Sequence, residues 1–140
     1  MNDDILIERV MDCDISEIKE LYIKGEWWNE QWDYERLKKL IKSGFGFVVA
    51  TTKDKHIIGM GRIISDGVCD AYLQDIFVRS EFRGNGIGSR IVEKLLSICQ
   101  EHDITWIGVI AAPETEYFYR KFGFSRMGGY APMLFEKINS

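Results

Sequence analysis

The chain has 140 residues, 46% apolar and 29% charged, which fits one globular domain and excludes disordered and fibrous classes. Eighteen basic against 22 acidic residues give a net charge of −4, the wrong balance for a nucleic-acid binder held by phosphate charge. Three scattered cysteines without a C-x-x-C pair, and only two histidines, speak against a disulfide framework and leave a metal site without ligands.

The first ten residues, MNDDILIERV, place acids where a secretory leader carries bases. No apolar run approaches the roughly 18 residues of a membrane span. A cytoplasmic protein that binds neither membrane nor nucleic acid is expected. Without repeat, low-complexity tract or Pro/Gly-rich linker, residues 1–140 read as a single domain.

Residues 5–10 alternate as a first strand. Asp14, with Glu17 three positions on, reads as a capping box opening a helix towards Ile23. A loop with Trp27, Trp28 and Trp32 follows, then a helix over 34–41 closed by Ser43-Gly44. Residues 45–52 and 56–64 are β-rich runs joined by a turn at 53–55, and Ser65-Asp66-Gly67 leads to a strand at about 70–78. A glycine-rich loop precedes an amphipathic helix in which Ile87, Ile91, Val92, Leu95, Leu96 and Cys99 recur at helical spacing, while Arg90, Glu93, Lys94 and Ser97 face out. A strand at 104–110, a short helix from Pro113 to about Gly123, and strands at 124–127 and 133–138 complete a mixed α/β sheet.

Charge is unevenly spread. Residues 1–35 hold eleven acids and three bases, a net −8, whereas 71–140 are neutral, with Arg79, Arg83 and Arg90 around the glycines. That pattern suits a cation at one end and a polyanion at the other; a solvated acidic helix face would give the same counts.

The strongest chemical signal is the strand–loop–helix unit containing Arg83-Gly84-Asn85-Gly86-Ile87-Gly88-Ser89-Arg90. A helix that opens on glycines turns unpaired N–H groups and its positive dipole end outwards, and a phosphate or pyrophosphate is the natural ligand. Walker A fails, because Ser89-Arg90 follows Gly88. The dinucleotide fingerprint fails on spacing, G-x-G-x-G in place of G-x-G-x-x-G. A tight turn without any ligand stands as the alternative.

These residues, following Asp75-Ile76-Phe77-Val78 and Phe82, resemble the R/Q-x-x-G-x-G/A motif of the GCN5-related N-acetyltransferases (GNAT). Phe118-Tyr119-Arg120-Lys121-Phe122-Gly123-Phe124 is similar to that family's F-Y-x-x-x-G-F segment, in the family's order and separation. The resemblance implies a mostly antiparallel mixed sheet, splayed between its fourth and fifth strands and flanked by helices. It implies acetyl-CoA as co-substrate, with no metal. Ile76, Phe77 and Val78 would then face pantetheine and the acetyl carbonyl. Arg83, Gly84, Asn85, Gly86, Ile87, Gly88 and Ser89 would surround the pyrophosphate, and Arg79 would aid with the phosphates or stand as an exposed loop arginine.

Acetyl transfer needs a neutral amine, an oxyanion donor and a proton for the departing thiolate. Tyr119 occupies the family's general-acid position. Asp75 is the first candidate for the base, reaching the cleft through a strand bulge, with Glu26, Asp33 and Asp70 behind it. Ala112 stands where the family often has a cofactor-contacting asparagine, and Thr115 is the nearby hydroxyl. Trp27, Trp28, Glu30 and Trp32 form the expected acceptor region, since tryptophan faces and carboxylates suit a protonated amine; burial of Trp28 and Trp32 against the sheet is the alternative. A small-molecule amine and a second copy in a homodimer are the expected partners. The alternative to an N-acetyltransferase is a non-catalytic acyl-CoA-binding or sensor module on the same fold.

Overall fold

In the computed structural model, which describes residues 4–136, four strands are laid down in chain order, each antiparallel to the next. They are β1 (Leu6–Arg9), β2 (Gly46–Thr51), β3 (Ile57–Ser65) and β4 (Asp70–Val78). β5 (Trp106–Val109) joins β4 in parallel, so the sheet runs β1-β2-β3-β4-β5. The β4–β5 pairing ends at Leu73 and Val109. Residues 74–78 continue without a β5 partner among the described residues, which is the splay the resemblance implies.

The helices are α1 (Ile15–Lys24), α2 (Tyr34–Ser43), α3 (Ile87–Glu101) and the short α4 (Glu116–Arg120). The chain divides into two compact units, Met1–Val109 and Ile110–Ser140. The first holds the sheet with α1, α2 and α3, and the second holds α4. No helix among the described residues is long and apolar enough to cross a membrane.

Strand alternation divides the first unit's core. Phe47, Val49 and Met60 join Ile18, Leu21 and Tyr22 of α1 with Leu37 and Ile41 of α2. Each of these side chains is at most 2% exposed, and burying one contributes about 1.5–3 kcal/mol. Gly59 and Gly61 of β3 abut α3 instead. A Cβ on Gly61 would lie 2.9 Å from Ile91 and 3.0 Å from Leu95, so a larger residue there would push the α3 side chains out of place. The apolar stripe of α3 is Ile87, Ile91, Val92, Leu95, Ile98 and Cys99.

Several expectations need correction. In that stripe Ile98 takes the place of Leu96, which is half-buried. Arg90 is half-buried as well, because its Nη2 reaches in to donate to Ile5 O at 2.9 Å. The capping box forms only one way: Asp14 accepts from Ser16 N at 3.0 Å, but Glu17 turns to the hairpin, bonding His56 Nδ1 at 2.9 Å and accepting from Ile57 N at 3.1 Å. Gly44 ends α2 in an extended conformation, ψ 160°, leading straight into β2.

No strand forms at 124–127 or at 133–136, and residues 137 and 138 lie outside the described residues. An alternating pattern becomes a strand only against a neighbour. Here Met133, Leu134 and Phe135 are 92%, 84% and 90% exposed, and Pro132 lacks the N–H that a ladder needs.

Candidate active site

β4 ends at Val78 and passes through a 3-10 turn (Ser80–Phe82) into Arg83-Gly84-Asn85-Gly86, after which α3 begins. Gly84 and Gly86 sit at φ +81° and +77°, a left-handed conformation costing an L-residue about 1–2 kcal/mol. A Cβ on either would meet no protein atom within 4 Å. The glycines are therefore required by the backbone turn, and the space before them is open. Gly86 caps α3 without any side-chain acceptor, so the helix offers backbone donors and its positive end to that space.

Two side chains pin the loop. Asn85 Nδ2 donates to Phe82 O at 3.1 Å and to Arg83 O at 3.3 Å. Arg83 Nε donates to Val78 O at 2.9 Å while its guanidinium lies 5.2 Å from the centre of the Phe77 ring. Ile87 is 2% exposed, which leaves its backbone for a ligand. Ile76, Phe77, Val78, Gly88 and Ser89 are half-buried along the same path. Arg79 turns to α1: its Nη2 pairs with Glu20 at 2.8 Å, and its buried Nε has no partner.

The bulge expected of β4 is present at Asp75, which takes φ +58°. One oxygen of its carboxylate is engaged: Oδ2 accepts from Tyr22 Oη at 2.7 Å and from Arg62 Nε at 2.6 Å. Burial, then the adjacent Asp75 carboxylate, holds the Tyr22 phenol far above the usual tyrosine range, so it remains a donor. Among the other carboxylates weighed as bases, Asp33 caps α2 by accepting from Arg36 N at 2.9 Å. Asp70 starts β4 at the end away from the glycine loop, and Glu26 is exposed in the tryptophan loop.

The tryptophans divide in two. Trp27 packs edge-on between Tyr22 (6.2 Å) and Phe77 (6.1 Å), which brings it to β4. Trp28 and Trp32 pack on each other at 5.6 Å and lie half-buried against the α1–α2 core, as the burial alternative has it. Their rings already carry protein cations, Lys19 Nζ 4.9 Å from Trp28 and the Arg36 guanidinium 6.0 Å from Trp32. Glu30 is exposed. No local motif marks Tyr22 or Arg62 in the sequence; the one signal is a lone charge inside the apolar β3 run.

In the second unit, Tyr119 of α4 is 9% exposed, with Phe118 at 5.0 Å and Phe124 at 5.8 Å, both edge-on. Burial raises the phenol above its ordinary value, so it stays protonated at neutral pH. The Thr115 hydroxyl donates to Ala112 O at 2.7 Å and is thereby engaged locally. Glu116 binds Arg120 and Arg126, the latter at 2.8 Å. No cluster of three or more metal-ligating side chains occurs among the described residues.

The sequence model of the family described as "Acetyltransferase (GNAT) domain" matches residues 12–132. The GCN5-related N-acetyltransferase 2, chloroplastic, of Arabidopsis thaliana is 36% identical over 72 residues, covering 51% of this chain and 28% of that protein. The chain thus spans less than a third of the length of such relatives. A probable acetyltransferase of unknown function from meticillin-resistant Staphylococcus aureus superposes with a TM-score of 0.80 at 23% identity, over 96% of this chain and 99% of that one. A predicted acetyltransferase with acetyl-CoA from Clostridium acetobutylicum gives 0.67 at 16% identity, over 93% and 96%.

Proposed function

The chain belongs to the acetyltransferase (GNAT) family, and from that premise we propose that it is an acetyl-CoA-dependent N-acetyltransferase for a small primary amine. The observation that carries the reading is the glycine loop: Gly84 and Gly86 in left-handed conformation, with open space before an uncapped α3. That donor set fits a pyrophosphate, and the splay beside β4 fits an extended pantetheine arm. Acetyl-CoA bound there supplies the thioester whose acetyl group passes to the amine nitrogen.

The chain's own groups have these roles. Backbone N–H groups of residues 83–89 hold the pyrophosphate. The β4 backbone at Ile76, Phe77 and Val78 orients the arm, and an N–H at Phe77 or Val78 faces the developing oxyanion. Tyr119, assigned by its place in the F-Y-x-x-x-G-F segment, holds the proton that the departing thiolate takes. Trp27 is the aromatic wall nearest the acceptor, with Trp28, Glu30 and Trp32 further out. Asp75 Oδ2 is held by Tyr22 and Arg62, and Asp75 stays the candidate base through its other oxygen, with water as the alternative acceptor of the amine's proton. One acetyltransferase domain over 1–140 is part of the proposal, supported by a family match that extends through both compact units.

A homodimer is proposed too, supported by the exposed Tyr130, Met133, Leu134 and Phe135, four large apolar side chains within six residues that a second copy would cover.

A second reading, an acyl-CoA-binding or sensor module, is favoured by the engagement of Asp75 Oδ2 and of the Thr115 hydroxyl within the protein. An amine-panel assay of CoA thiol release, run beside melting with and without CoA, separates the two. The enzyme reading expects a CoA-induced rise in melting temperature and amine-dependent release. A rise without release favours the sensor. No rise at millimolar CoA removes both.

A further inference from the structure

Asp75 sits where β4 carries one residue more than its neighbour. Met60 faces Phe77 and Arg62 faces Gln74, so Gly61 alone opposes Asp75 and Ile76. Strand side chains alternate with a period of two, and losing the extra residue would exchange the faces of Ile76, Phe77 and Val78. The bulge therefore decides which groups β4 offers to a ligand.

What holds it is unusual for this face. Tyr22 belongs to an otherwise apolar cluster, yet its hydroxyl meets a pair of charged side chains, Asp75 and Arg62. Tyr22, 1% exposed, donates from α1 to Asp75 Oδ2 at 2.7 Å. Arg62 donates from β3 to the same oxygen at 2.6 Å, a charge-assisted bond. The same guanidinium reaches Gln74 Oε1 at 3.3 Å, so it spans the residue before the bulge and the bulged residue. Asp75 is held at φ +58°, a conformation that persists only where its surroundings over-determine it. Tyr22 also packs edge-on against Trp27 and Trp32, each at 6.2 Å, tying the tryptophan loop to the clamp.

Resting on the acetyltransferase reading, we infer that Arg62 and Tyr22 are positioning residues for the transfer step, gripping Asp75 from β3 and α1 to fix the bulge that presents Phe77 and Val78 to the acetyl carbonyl. The glycine loop, which anchors the phosphates, stands outside this clamp. Loosening it displaces the reacting carbonyl while leaving the cofactor's anchor in place.

The test is steady-state thiol release with the best amine, with the CoA-induced melting shift recorded alongside, for the full chain and for Tyr22→Phe, Arg62→Met, Arg62→Lys and Asp75→Gly. A misplacement of about 1 Å costs up to about 100-fold. Tyr22→Phe and Arg62→Met are expected to lower kcat about 10–100-fold, with the acetyl-CoA KM and the melting shift near the parent's. Arg62→Lys should recover most of the rate. Asp75→Gly, which keeps the positive φ but removes grip and carboxylate alike, is expected to lose at least as much rate, and Tyr22→Phe, which removes one hydroxyl and keeps the ring, decides the matter if Arg62→Met does not fold. Folded variants as fast as the parent overturn the inference, as do equal losses in kcat and in acetyl-CoA affinity. A parent that neither binds acetyl-CoA nor releases thiol removes the acetyltransferase reading and this inference with it; an active parent with unmoved variants removes only the inference.

Discussion

A phenol moved out of water keeps its proton to higher pH, because desolvation penalises the phenolate. Burial does this to Tyr119, and the donor form is the one a departing thiolate requires. Tyr119→Phe is expected to lower kcat about 10²- to 10⁴-fold while leaving the CoA-induced melting shift intact. The direction of the shift also fixes the pH profile: any loss of rate from ionisation of Tyr119 begins only above the ordinary tyrosine value near ~10. A variant as fast as the parent over the whole profile would reduce Tyr119 to a ring packed between Phe118 and Phe124. Its assignment is legible in the sequence because the segment carrying it is contiguous. The partners of Asp75 are not, since Tyr22 lies 53 positions away and Arg62 13. Only the pairing of β3 with β4 and the docking of α1 bring them together.

Elements with strong periodicity can be read directly. α3 appears where its stripe predicts, and the hairpin turns fall where Lys53-Asp54-Lys55 and Ser65-Asp66-Gly67 interrupt apolar runs. Reading fails where an element depends on a partner beyond the local chain. Glu17 has the spacing of a capping box, yet the β2–β3 hairpin offers it His56 and the Ile57 N–H. Residues 124–127 and 133–136 have strand composition and no neighbour to pair with. The loop before α3 gives the sharpest test at this scale. Gly86→Val places a β-branched side chain at φ +77°, a left-handed position costing about 1–2 kcal/mol, and sets its Cβ in the open space. The variant is expected to melt lower than the parent and to show no rise with CoA. A retained rise would place the phosphate elsewhere.

For the whole molecule, the exposed apolar residues at the end of the second unit predict self-association. Light scattering on the purified chain is expected to give twice the 16.3 kDa of one copy. Leu134→Glu with Phe135→Lys should return it to that value with the melting temperature of the first unit's core little changed; a parent that stays monomeric at micromolar concentration argues against the dimer. The sheet has a different consequence, for how the chain is made. Strand order equals chain order from β1 to β5, so each strand leaving the ribosome finds its partner already synthesised, and at the short β2–β3 and β3–β4 turns little loop entropy opposes the pairing. Arg90 reaches further. Its bond to Ile5 O reaches back 85 positions, so the tie at β1 waits until the first turn of α3 has emerged. Until then the nascent sheet keeps its first edge unlocked, open to chaperones or to a neighbouring nascent chain.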